Sequence, residues 1–167
     1  MNLFEQNTTA VSDEDSRNDP VIWKAACLRL MNSINVIERG IVRSTDELEI
    51  TDAQLVAVML AGFAFENAFK AKFLQDGGVL YKYGKIQNFK DHSFVRWADD
   101  YGITLQKLER MALDKAEFFC VAWGRYPTHN RLEEERPFEV WGPGDVEQLM
   151  NLIRRLLKGV GESPHAT

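Results

Sequence analysis

The stretch TDAQLVAVMLAGFAFENAFKAKFLQ, Thr51 to Gln75, decides how this chain is read. It opens as a Thr-x-x-Gln capping box, Thr51 and Gln54, with Ile50 and Leu55 at the positions of a hydrophobic staple. It closes at Gly77-Gly78, where a helix can end in a left-handed residue without Cβ strain. From Leu55 to Phe65 the sequence is apolar on every side. Such a helix is surrounded by other protein. Charge interrupts it too soon for a membrane span. The expectation is the central helix of an all-α domain.

Glu66, Asn67 and Lys70 follow directly. Glu66 and Lys70 are an i,i+4 pair in the favourable order. They continue a stripe through Met59, Gly62 and Phe63, and Gly62 would let a neighbour approach closely. Charges on a buried stripe are costly unless paired. Two readings stay open: an ion pair that holds helices in register, or part of a site.

Working outward, Asp19-Pro20 reads as a helix start, and Ile22, Trp23, Ala26, Cys27, Leu30, Ile34 and Ile37 give the apolar face up to Gly40. Asp91 is expected to cap a short helix with His92 in its first turn and Gly102 at its end. Thr104 is expected to cap a further helix that runs to about Trp123. Gly142-Pro143 starts the last, with its apolar stripe from Val146 to Val160. The sum is an antiparallel bundle of four to five helices over residues 19–160. Residues 1–18 are expected to be a mobile acidic arm and 161–167 a frayed tail.

The chain has a net charge of −5, which argues against nucleic-acid binding by the whole surface. Most of that charge sits before Pro20, so the body could still carry a local basic patch. Between residues 79 and 90, Lys82, Lys85 and Lys90 interleave with Tyr81, Tyr83 and Phe89. Cations beside stacking rings suit single-stranded nucleic acid. The plainer reading is a loop whose aromatics pack down on the bundle. Cys27 and Cys120 read as reduced core residues, and no metal-ligand spacing is present. No metal, cofactor or membrane is expected, and the cytoplasm is the default location.

The most specific local string is Trp123-Gly124-Arg125-Tyr126-Pro127-Thr128-His129, placed just after a helix where no core packing needs it. Together, Glu-Asn-x-x-Lys on a buried helix, Asp91-His92 opening a short helix, and this Trp-Gly-Arg-Tyr-Pro string resemble a bacterial branch of the HEPN superfamily, across roughly residues 52–128. The resemblance implies an all-helical bundle and a homodimer. It implies RNA binding or metal-independent endoribonuclease activity in a defence or stress system. It would make Arg125 the phosphate ligand and His92 or His129 the general acid or base, with Glu66, Asn67, Lys70 and Tyr126 as phosphate- or ligand-binding side chains. The chemistry is sensible, since imidazole titrates near neutrality and guanidinium forks onto phosphate. The family pattern puts four to six residues between Arg and His. Here Arg125 and His129 are separated by three, one of them Pro127. Two other readings remain: a non-catalytic helical dimer that binds an antitoxin or other protein partner, and a bundle that binds a nucleotide or small anion.

Overall fold

A computed structural model describes residues 13–89, 91–122 and 143–161. The elements are α1 (Asp13–Arg17), α2 (Pro20–Ile41), α3 (Glu47–Gln75), β1 (Tyr81–Lys82), β2 (Lys85–Ile86), α4 (Phe94–Asp100), α5 (Lys107–Ala122) and α6 (Pro143–Leu157). The described residues are thus mostly helical, with one small antiparallel hairpin.

Four long helices form the bundle. Lys70 near the end of α3 lies against Trp23 near the start of α2, so these two run antiparallel. Lys115 of α5 meets Asp145 of α6, and Arg155 of α6 meets Glu109 of α5, so these run antiparallel as well. Gly161 N–H, after α6, donates to Gln75 at the end of α3, which sets α6 parallel to α3. Directions therefore alternate along the chain. Phe65, Val58 and Ala61 of α3, Ile34 of α2, Leu113 of α5 and Leu149 of α6 are fully buried at the centre.

The central helix starts one turn earlier than the Thr51 box suggests. Asp46 is the N-cap, its carboxylate accepting from Leu48 N at 2.8 Å and Glu49 N at 3.3 Å. Two acidic or hydroxyl caps compete in this sequence, and the upstream one wins because it gains a further turn of backbone hydrogen bonds. Thr51 Oγ1 instead donates to Glu47 O within the helix, at 2.8 Å. The far end behaves as expected. Gly78 N bonds Phe73 O and Gly77 N bonds Leu74 O, with Gly77 at φ 87°, the paired bonds of a Schellman motif. By length and composition α3 could also cross a membrane. Here it is packed against α2, α5 and α6.

Three further boundaries differ from the sequence expectation. His92 precedes α4, whose N-cap is Ser93. Asp91 does not cap that helix; its carboxylate is used by Arg96 and by Trp97 Nε1. The next helix begins at Lys107, not beside Thr104, because Glu109 reaches back to Gln106 N at 2.8 Å and fixes the first turn there. Finally, Asp13–Arg17, placed in the acidic arm from sequence, forms α1 and docks on the hairpin. Asn18 Oδ1 accepts from Leu80 N and Tyr81 N, each at 2.9 Å, and Asn18 Nδ2 donates to Tyr81 O at 2.8 Å.

Candidate functional site

Glu66, Lys70 and His92 form one cluster. Lys70 Nζ lies 2.5 Å from Glu66 Oε1, and His92 Nδ1 lies 2.9 Å from Glu66 Oε2. The first contact follows from helical spacing alone. The second crosses from α3 to the segment before α4 and needs the tertiary fold. Lys70 is only 7% exposed, and Glu66 and His92 14% each. Lys70 Nζ also lies 4.6 Å from the Trp23 ring centroid, so an aromatic face and a carboxylate share its charge.

Aromatic packing places the histidine. Phe89 stacks edge-on to Phe69 and Phe73 of α3, and Phe94 lies 5.4 Å from Phe65. Trp97 of α4 and Tyr101, just past its end, complete the contact with Phe69. His92 sits between the two anchors, Phe89 and Phe94, and its ring meets Phe94 edge-on at 6.1 Å. Phe89 holds φ 58°, a left-handed backbone that turns the chain toward α4.

Behind the cluster, α5 approaches α3 at Gly62. A Cβ there would overlap Cys120 Sγ and lie 3.3 Å from Ala116 O. This is the close approach anticipated at Gly62. Cys120 and Cys27 are buried free thiols, and burial pushes each up to about 12. Neither is a thiolate at neutral pH, so neither is a nucleophile. Glu117, also on α5, accepts from Val95 N at 3.4 Å and so serves the start of α4. Burial raises its pKa. Among the described residues no group of three or more His, Cys, Asp or Glu side chains converges as a metal site.

The structure thus brings together Glu66, Lys70 and His92. Asn67 turns back along its own helix, its Nδ2 donating to Phe63 O at 2.9 Å. Arg125, Tyr126 and His129 lie outside the described residues. In the last turn of α5, Cys120 Sγ donates to Met59 O, seven residues before Glu66 on α3. That is about 10 Å along the axis at 1.5 Å per residue. Trp23 is the member that sequence reasoning missed, since its helical spacing with Ala26, Cys27 and Leu30 reads simply as core. An open depression of about 370 Å³ lies elsewhere, on the last turns of α2, lined by Asn35, Glu38, Arg39, Val42 and Arg43.

No protein-family profile, curated protein or solved structure matches the chain.

Proposed function

We propose that this chain is a HEPN-like, RNA-directed helical protein in which His92 acts as the general acid or base of a metal-independent endoribonuclease. The observation that carries the reading is the 2.9 Å contact from Glu66 Oε2 to His92 Nδ1. A carboxylate at Nδ1 favours the tautomer protonated there and leaves the lone pair on Nε2. It also stabilises the imidazolium that forms when Nε2 takes a proton. In the proposed reaction Nε2 removes the proton of a ribose 2′-hydroxyl. The 2′-oxygen then attacks the adjacent phosphorus, and the 5′-oxygen leaves and is protonated. The products are a 2′,3′-cyclic phosphate and a 5′-hydroxyl. Arg125 is assigned to the phosphate in this reading, on the sequence resemblance alone. Homodimerisation, a cytoplasmic location and a role beside an antitoxin-like partner belong to the same proposal.

A second reading has its own observation. Glu66 is shared with Lys70, which is nearly buried, so the cluster can equally be an internal polar staple that fixes α4 on α3. The protein would then be a non-catalytic helical dimer that works by contact with a protein partner. The nucleotide-binding alternative is less well supported, because Lys70 Nζ and His92 Nδ1 are both engaged by one carboxylate.

Cleavage of a mixed set of single-stranded and structured RNAs in EDTA separates the readings. Wild type is compared with His92→Ala, His129→Ala and Arg125→Ala, each checked for an unchanged circular-dichroism spectrum. Loss of about 10²–10⁴-fold in the folded His92 variant supports general acid–base catalysis. Wild-type protein that cleaves no RNA removes the enzyme reading and leaves the staple.

A further inference from the structure

The β1–β2 hairpin violates two local rules at one exposed tip. Its two-residue turn is Tyr83-Gly84, with φ 55° and 69°. Such turns demand positive φ at both positions and favour Asn-Gly. A tyrosine there is held in left-handed backbone that its side chain disfavours. Beside it, Lys82 is paired directly opposite Lys85 across the strands. Like charges in that position repel. Asn in place of Tyr83 and an acid in place of one of the two lysines would suit the fold better. Local rules broken together, with no gain in packing, mark places where function overrides stability.

The tip gains nothing by packing. Tyr83 is 84% exposed, whereas Phe89 is in the aromatic cluster and Tyr81 faces the Arg17 guanidinium at 5.1 Å. The expectation that the aromatics of this stretch pack down on the bundle therefore holds for Phe89, whereas Tyr81 packs on α1 and Tyr83 is left exposed. Lys82 Nζ lies 5.3 Å from the Tyr83 ring, and Lys82 and Lys85 are both exposed. Glu14 fixes the turn from behind, accepting from Tyr83 N at 3.2 Å and Gly84 N at 3.0 Å. Its negative charge is thereby directed onto two backbone N–H groups.

We propose that the hairpin tip is a contact for single-stranded RNA, with the Tyr83 ring stacking on an unpaired base and Lys82 and Lys85 meeting the flanking phosphates. The contact rests on the RNA-directed reading above but not on cleavage. The hairpin is tied to the candidate site. Asn18 grips β1, Arg17 O accepts from Trp23 Nε1 at 2.9 Å, and the Trp23 ring faces Lys70. A strand held at the tip would lie on the same end of the bundle as Lys70.

Anisotropy of a labelled single-stranded 2′-O-methyl oligoribonucleotide, which cannot be cleaved through its 2′-oxygen, tests the contact on the full chain. Tyr83→Asn is the decisive variant, because Asn suits the left-handed position and keeps the turn folded. It is expected to weaken binding about 5- to 150-fold, the loss of one base–aromatic stack, while Tyr83→Trp retains it. Lys82→Ala/Lys85→Ala should reduce the slope of log affinity against log salt by about 1.4, the value for two phosphates on a single strand. A duplex of the same sequence should bind more weakly than the single strand. A matched single-stranded DNA tells a ribose-specific contact from a general single-strand one. Wild type that binds no single strand, or Tyr83→Asn that binds as wild type does, overturns the inference. Cleavage of ordinary RNA by the same proteins keeps the two readings apart. Binding through Tyr83 without cleavage leaves the tip and removes the nuclease. Cleavage indifferent to Tyr83 does the reverse.

Discussion

Glu66 Oε2 lies 2.9 Å from His92 Nδ1, while the other oxygen of the same carboxylate holds Lys70. One side chain therefore serves a neighbour on its own helix and a residue 26 positions away. The two contacts differ in what their loss would cost. Removing His92 leaves Glu66 with Lys70 still beside it. Removing Glu66 leaves Lys70, 7% exposed, with the Trp23 ring as its counter-group among the described residues. Glu66→Ala should lower stability by about 3 kcal/mol, at the low end for a broken buried pair because the site keeps some solvent contact. Glu66→Ala/Lys70→Met should recover most of that loss in urea unfolding. A double variant as unstable as the sum of the singles would mean that charge pairing is not what the carboxylate contributes.

Gly62 sets the distance between α3 and α5. Its missing Cβ is occupied by Cys120 Sγ, with Ala116 O 3.3 Å from the ideal Cβ position. Gly62→Ala gains about 1 kcal/mol of helix propensity. The overlap outweighs that gain, so a net loss of about 1–2 kcal/mol is expected from overpacking. Cys120→Ala on the Gly62→Ala background should relieve the clash. A double-mutant cycle on urea midpoints should then show a favourable coupling between the two positions. Strict additivity would place the strain elsewhere.

Much of the bundle was legible because periodic signals report on local chemistry. Asp19-Pro20 and Gly77-Gly78 each fix a helix end through atoms within a few residues, and both act as read. Glu66 and Lys70 meet because they share a helix face. Thr51 is the cap that the sequence pattern picks out, yet Asp46 caps the helix, because the extra turn it gains shows only in the folded chain. The acidic residues around Glu14 read as solvated arm because their partners, Tyr83 and Gly84, lie about seventy positions on. Asn18 is hidden for the same reason. The Glu66–His92 contact depends on their segments packing together, and the packing is supplied by Phe89, Phe94 and Trp97, none of which carries a motif.

Glu117 makes stability depend on pH with a definite sign. Burial raises its pKa above 4.5, with Asp114 and Asp91 adding to the shift, while the N–H groups of Val95 and Phe94 oppose it. A raised folded value means that the folded state holds the proton more tightly than the unfolded one. Its contribution is full below pH 4.5 and is lost as pH rises through the folded value. Glu117→Gln keeps an oxygen for the Val95 N–H and removes the charge. Its melting temperature should exceed that of wild type at neutral pH, and the gap should close below pH 4.5. A lower melting temperature at neutral pH would show that the negative charge is what steadies the start of α4.

Asn18 joins the short helix α1 to the hairpin with both ends of its amide. Its oxygen accepts from Leu80 N and Tyr81 N, and its nitrogen donates to Tyr81 O at 2.8 Å. Leu80 is fully buried, so its N–H has no water to fall back on. Asn18→Ala should cost about 1–3 kcal/mol for donors left unsatisfied. Asn18→Asp is the sharper probe. It preserves size and the two accepted bonds, but it sets an oxygen against Tyr81 O where a donor stood. If the bonded geometry holds α1 in place, Asn18→Asp destabilises despite its near-identical shape, and the Leu80 and Tyr81 amides exchange faster with solvent deuterium. If Asn18→Asp behaves as wild type, α1 is held by Glu14 and Arg17 instead, and the mount of the hairpin tip rests on the two Glu14 bonds to Tyr83 N and Gly84 N.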